Sequence, residues 1–292
     1  MRRELMKIIS IVVVVLVSSQ AAPLSAQAAF SWRFAPEVGT FVRWSYDTEG
    51  EYTFTGFPLI IDSTKATVAS RSGLTRRIME RMDGVYMGLV TVDSVLARYR
   101  IEGRDWKPLV TERGPIGPAA FLIDDNAIYS QVAGTDDPEL QAFLGVSGAM
   151  QVSLPPEPIR PGDRWEAQVA YPYTTEIPAD SSLIVMLTMT GDAAAIIDSL
   201  SIRGADTLVH VSVNGPFQPI FVEGIHPADN ASTQVEFWGS HASSLIWSTG
   251  WNTWVTGSTR VRIHSRIEAP AGSEAQDARV RADLSTRFRV IP

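Results

Sequence analysis

Strict alternation of apolar and polar residues over long runs narrows most what this chain can fold into. In TRVRIHSRIE (259–268), Val261, Ile263 and Ile267 take one parity, and Arg260, Arg262, His264 and Arg266 the other. ARVRADLSTRFRV (278–290) repeats the pattern, with Val280, Ala282, Leu284, Phe288 and Val290 set against Arg279, Arg281, Asp283, Arg287 and Arg289. Successive side chains of a strand point to opposite faces, so these runs predict half-buried antiparallel strands. TFVRWSYD (40–47) and DRWEAQVAY (163–171) alternate in the same way, and TQVEFWGS, SSLIWSTG and WNTWVTG (233–257) continue the series at short spacing. RRIMERMDGVYMGLVTVDSVLARYRIEG (76–103) reads as a hairpin turning at Asp83-Gly84, its Val and Thr content favouring strand over helix. Two further turns are expected, at Gly191-Asp192 and at Asn214-Gly215.

The fold class that follows is all-β: a large antiparallel sheet, a half-open barrel or two β subdomains. One short helix is expected near 137–144, where Asp137 is placed to cap, Pro138 to open and Gly145 to stop a turn-and-a-half of Leu140, Phe143 and Leu144. Four prolines between 155 and 161 cannot lie in a central strand. They divide the chain into an N-terminal half, 29–152, and a C-terminal half, 153–292. Each half opens on a glycine and an Arg-Trp strand start, PEVGTFVRW (36–44) and PGDRW (161–165), the spacing an internal duplication would leave after a two-residue gap.

Residues 1–28 read as a secretory leader. Arg2, Arg3 and Lys7 precede the apolar run IISIVVVVLV, and Ala26-Gln27-Ala28 offers a small-residue cleavage site before Ala29. Cleavage would leave 22 basic and 31 acidic residues, a charge of −9. Such a chain is a poor partner for nucleic acid. After cleavage no apolar run approaches the ~20 residues of a spanning helix. The expected place is therefore outside the cytoplasm, periplasmic or extracellular. The chain has no cysteine, so neither disulfides nor thiol chemistry is open to it, and the core alone must stabilise the fold.

PGDRWE (161–166), the Thr/Met-rich MLTMTG (186–191) and the Arg/Thr-rich strands after them resemble a group of uncharacterised exported bacterial β-proteins sharing a P-G-D-x-W motif. The resemblance covers 153–268 and implies export and a β-rich fold. It carries over no reaction and no catalytic residue.

Candidate chemistry is sparse. His210, His226, His241 and His264 are not at metal-ligand spacing, and the serine-hydrolase elbow and Ser-x-x-Lys motifs are absent. Asp124, Asp125 and Asn126 could offer oxygen ligands to a cation, but a polar turn accounts for them more simply. No catalytic residues, metal ligands or cofactor are assigned. The strongest binding candidates are tryptophans: Trp44, Trp165, Trp238 and Trp247, the last two within the dense cluster that also holds Trp251 and Trp254. The function expected is a non-enzymatic exported protein of the bacterial envelope that holds an apolar or lipid-like ligand in a sheet-enclosed cavity. The alternatives are a module that binds another envelope protein and a hydrolase with a dispersed site. The expected partners are thus a hydrophobic small ligand or an envelope protein.

Overall fold

A computed structural model describes residues 29, 32–57, 63–113, 115–133, 151–177, 183–226, 232–269, 272 and 276–291. Residues 1–28, where a leader is expected, lie outside these residues. Among them, thirteen strands form one antiparallel sheet. They are β1 (Phe41–Thr55), β2 (Thr64–Met82), β3 (Val85–Ile101), β4 (Lys107–Arg113), β5 (Ile116–Ile123), β6 (Tyr129–Ala133), β7 (Gln151–Val152), β8 (Arg164–Ile177), β9 (Leu183–Arg203), β10 (Asp206–Ile225), β11 (Ser232–Ser248), β12 (Thr253–Ile267) and β13 (Ala278–Ile291). The order is β6-β5-β3-β2-β1-β13-β12-β11-β10-β9-β8-β7, with β4 paired to β3 off that path. The first long strand therefore pairs with the last, and strands from both sides of residue 153 belong to the one sheet. The helix expected over 137–144 is not borne out: no helix occurs among the described residues, and 137–144 lies outside them.

The sheet curls so that one face encloses the core. Tyr52 on β1 and Tyr171 on β8 lie at remote places in the strand order yet share that core. Burial raises the hydroxyl pKa of both, that of Tyr52 to about 12, and at Tyr171 the neighbouring Tyr52 adds to the rise. At one rim the sheet's two ends are tied by backbone bonds. Leu154 N–H, just beyond β7, donates to Asn126 O in the β5–β6 turn, and Ser153 N–H donates to Gln168 O on β8. A strap formed by residues 32–37 crosses the same rim. Phe34 N–H donates to Asp125 O, and Ala35 N–H donates to the Asn252 side chain at 3.1 Å.

The alternation sorts as expected on the two arginine-rich strands. Val261, Ile263, Ile267, Val280, Ala282 and Leu284 are buried, and their arginine neighbours face outward. Register places Arg262 opposite Asp283, and their side chains meet at 2.7 Å. Glu268 lies 3.7 Å from Arg266, which also holds Asp277 at 2.9 Å. Asp277 belongs to the connection before β13, and Glu236, opposite Arg266 on β11, adds to the negative charge around that guanidinium. Exposed pairs of this kind contribute at most about 1 kcal/mol each. The outward ladder keeps this face wet; a barrel spanning a bilayer would present apolar side chains there.

Asp83-Gly84 forms the expected tight hairpin, both residues at positive φ (47° and 82°). The turns expected at Gly191-Asp192 and Asn214-Gly215 do not form. Both dipeptides lie inside long strands, β9 and β10. Here glycine serves close approach: a β-carbon on Gly191 would land on the carbonyl oxygen of Pro216, and one on Gly239 on that of Arg262. Gly239→Ala should cost roughly 1–3 kcal/mol, because the obstacle is backbone and cannot swing aside. Urea denaturation measures it, and an unchanged midpoint would show that the strands part freely there.

β1 and β8 open with the same device. Gly39 and Gly162 both take φ of 89°, and their N–H groups donate to Ile78 O and Ile197 O on the next strand.

Candidate functional site

Beside the strap, the inward faces of the strands leave a cavity of about 200 Å3. By volume that is room for roughly seven waters, below the usual range for drug-sized ligands. Period-two geometry selects its walls. β1 contributes Trp44 and Tyr46, β2 Leu74 and Arg76, β5 Phe121, β11 Trp247, and β13 Phe288. The strap adds Phe34, and the start of β12 adds Thr253 and Trp254. The Trp44 indole N–H donates to Trp254 O at 2.9 Å, which fixes the ring against the wall. Tyr46 and Phe288 stack at 5.5 Å between ring centroids.

Arg76 is the cation in this wall and is only 3% exposed. Its guanidinium carbon lies 5.1 Å from the ring centroids of both Phe34 and Trp44. Aromatic faces attract a cation at this distance, the more so when water is excluded. The residue occupies an apolar-parity position of β2, between Leu74 and Ile78.

Of the four tryptophans singled out from the sequence, Trp44 and Trp247 line the cavity. Trp165 stands behind it: its ring packs edge-on against Trp32 at 5.8 Å, and its indole N–H donates to Ser153 O at 3.2 Å. Trp238 is elsewhere, on the outward face, stacked at 5.4 Å on His264. Even parity at 238 opposes the buried odd positions Val235, Phe237, Leu245 and Trp247 of the same strand, so that separation was readable from β11 alone. The outward hollow beside Trp238 is larger, about 580 Å3, but Arg266 and Arg281 in its lining pair with Asp277 and Asp283. Burial lowers the His264 pKa, and Arg281 and Arg262 lower it further.

Sequence reasoning missed Trp32, Phe34 and Arg76. The available signal for Arg76 was a charge at the parity of Ser72, Leu74 and Ile78. For Trp32 and Phe34 the signal was the short alternation Trp32-Arg33-Phe34, and burial follows it although the strap is not a strand.

The Asp124 carboxylate accepts from Asn126 N–H at 2.9 Å and Ile128 N–H at 2.8 Å, an ordinary Asx-type turn. Among the described residues no cluster of three His, Asp or Glu side chains could hold a metal. His210 bonds Ser201 at 2.9 Å. His241 is buried on the inward face of β11, and neither ring nitrogen has a hydrogen-bond partner.

Apolar side chains are exposed along the strapped rim: Val38, Phe41, Met82, Ile202, Trp251 and Ile291 all sit at strand ends or turns there.

No protein-family model matches this chain, and no curated protein does. Among solved structures, an outer membrane channel from Pseudomonas putida F1 aligns over 91% of this chain and 100% of its own, at 11% identity and a TM-score of 0.28. A likeness at that level bears on neither the fold nor the function of this chain.

Proposed function

We propose that this is an exported, non-enzymatic β-protein of the bacterial envelope that holds a small apolar ligand inside its curled sheet. The observation that carries the reading is the aromatic-walled cavity at Trp44 and Trp247. Pockets with largely apolar walls and one or two polar groups are the usual form of a small-molecule site. The leader at 1–28 supports export.

Octan-1-ol, titrated against the purified protein and followed by calorimetry, tests it. Saturable binding is expected, and Val90→Phe, which grows a ring into the cavity wall, should weaken it about tenfold or more while the far-ultraviolet circular dichroism stays unchanged. No saturable binding to the parent protein would sink the reading.

A second reading, a module that docks on another envelope protein, is favoured by the apolar rim, since exposed apolar patches mark contact surfaces. Ile202→Ser with Trp251→Ser should then abolish co-purification of one defined partner from envelope extract without affecting octan-1-ol binding.

A further inference from the structure

We propose that the outward hollow at Arg287 and Arg289 is a binding site for a phosphomonoester. It lies on the wet face of the sheet and does not rest on the ligand-binding reading of the inward cavity.

The arginines of β12 and β13 divide by partner. Arg262 and Arg281 share Asp283, at 2.7 and 2.8 Å, and Arg266 holds Asp277 at 2.9 Å. Arg279 reaches Asp277 at 4.0 Å. Arg287 and Arg289 are exposed, and among the described residues neither makes an ion pair. Register gives the reason. Asp47 on β1 stands opposite Arg287 on one side and opposite Arg71 of β2 on the other. Its carboxylate goes to Arg71, at 2.7 Å. Arg289 faces Ser45 on β1 and Thr256 on β12, neither of which carries charge. Glu49, the next outward residue of β1, stands opposite Ser285 instead.

Both arginines line one hollow of about 550 Å3 that crosses β1, β13, β12 and β11. Ser45, Ser244 and Ser258 line it with them, and among the described residues their hydroxyls have no side-chain hydrogen bond. Thr256 is already engaged, donating to Phe288 O at 2.9 Å. Residues two apart on a strand are roughly 7 Å apart along the backbone, so two arginine side chains can converge on one group. A phosphomonoester carries a charge of about −1.5 to −2 at pH 7 and three strong acceptor oxygens. Two guanidinium forks and three hydroxyls match both that charge and that number of acceptors. A carboxylate would leave the second cation unmatched, and a cation would be repelled. A hollow with room for roughly eighteen waters also admits a small polar body beside the phosphoryl group.

Glycerol 3-phosphate and the headgroup of phosphatidic acid share this chemistry, one soluble and one on a lipid surface. Calorimetric titration of the purified protein with glycerol 3-phosphate at pH 7.5 and low ionic strength should show saturable binding. Arg287→Gln with Arg289→Gln should weaken it at least about tenfold, with the far-ultraviolet circular dichroism unchanged. Should the double variant not fold, either single variant serves, with a loss of about threefold or more. Arg260→Gln removes another outward arginine of β12, one that does not line the hollow, and should change the affinity less than about twofold. Asp47→Asn removes a carboxylate from the lining and should tighten binding about two- to fivefold. Cosedimentation with phosphatidylcholine vesicles that carry phosphatidic acid identifies the source. Retention that the double variant loses assigns the lipid headgroup; binding of glycerol 3-phosphate without such retention assigns a soluble phosphomonoester. Absence of both overturns the proposal. So does a loss in Arg260→Gln equal to that of the double variant, or equal retention on vesicles that carry phosphatidylglycerol, a diester, since either would mean that only general surface charge is sensed. Octan-1-ol binding should be the same in all these variants, so the two sites stand or fall separately.

Discussion

Trp32→Ala is expected to cost about 3–5 kcal/mol of stability, one of the two largest effects foreseen for a single substitution here. The side chain is 3% exposed although it lies in a strap with no ladder bonds of its own. Its ring meets Trp165, Trp247 and Trp254 edge-on, at 5.8, 5.7 and 5.7 Å. Those three belong to β8, β11 and β12, so a single residue joins strands that are not all neighbours in the sheet. Edge-to-face pairs contribute about 0.5–1.5 kcal/mol each beyond the area they bury. Truncation removes all three together and leaves a void that rigid strands cannot close. Guanidinium denaturation would measure the loss, and the near-ultraviolet circular dichroism of the tryptophan cluster should collapse with it. A variant as stable as the parent would mean that the strap merely rests on the rim. Trp32→Phe should fall between, since it keeps a ring and most of the volume.

The second large effect is a dependence on pH that resides in His241. Burial lowers its pKa from 6.5 to about 4, because the inward face of β11 gives an imidazolium no water and the ring nitrogens no partner. Phe217 packs against the ring at 5.1 Å. Above pH 6.5 the imidazole is neutral whether the chain is folded or not, and its titration has no effect on stability. Between pH 6.5 and about 4 the unfolded chain takes up a proton that the folded chain refuses, so stability falls as the pH falls. Below about 4 both forms hold the proton and the loss is complete. A displacement of that size corresponds to roughly 3 kcal/mol. Other groups act lower or more weakly. Burial opposes ionisation of Asp206 and Asp283, but hydrogen bonds from Ser248, Gly250 and Thr249 to the first, and from Arg262 and Arg281 to the second, lower both pKa values below the ordinary aspartate range. Their stabilisation is lost only as the pH falls below that range. His264, whose pKa is also lowered, first by burial and then by Arg281 and Arg262, adds a dependence of the same sign. Comparison with His241→Leu removes these shared contributions. That variant should match or exceed the parent at pH 8, because two unpaired buried nitrogens are gone. It should also lose much less stability between pH 6.5 and 4. Equal slopes for the two proteins would mean that the imidazole finds water or a partner when it charges.

Much of this architecture was legible one strand at a time. Parity at 259–268 and 278–290 separated the buried valines and isoleucines from the arginines before any pairing was known. Asp83-Gly84 was readable for the same reason, since positive φ at two successive residues is a local demand. Gly191 and Gly215 misled because a strand glycine and a turn glycine look alike in sequence. What distinguishes them is whether another backbone stands where a β-carbon would go, and here the second backbone is a neighbouring strand. The cavity divides similarly. Tryptophan density between 238 and 254 pointed to β11 and β12, and parity sets Trp247 inward and Trp238 outward. No local rule brings Arg76, 171 residues before Trp247, to the same wall, or lays Phe34 over it.

The amino-acid sequence by itself determined the period of the backbone, the wet and dry side of its alternating strands and the acidic charge, because each is read from the residues themselves or from neighbours a few places away. Tertiary structure alone decided the strand order that sets β1 beside β13, the glycines that admit another strand, the strap that plugs the rim and the arginine held between two rings. Those depend on how a curled sheet brings distant segments to one interior, and that is set by packing of the whole rather than by any stretch of it.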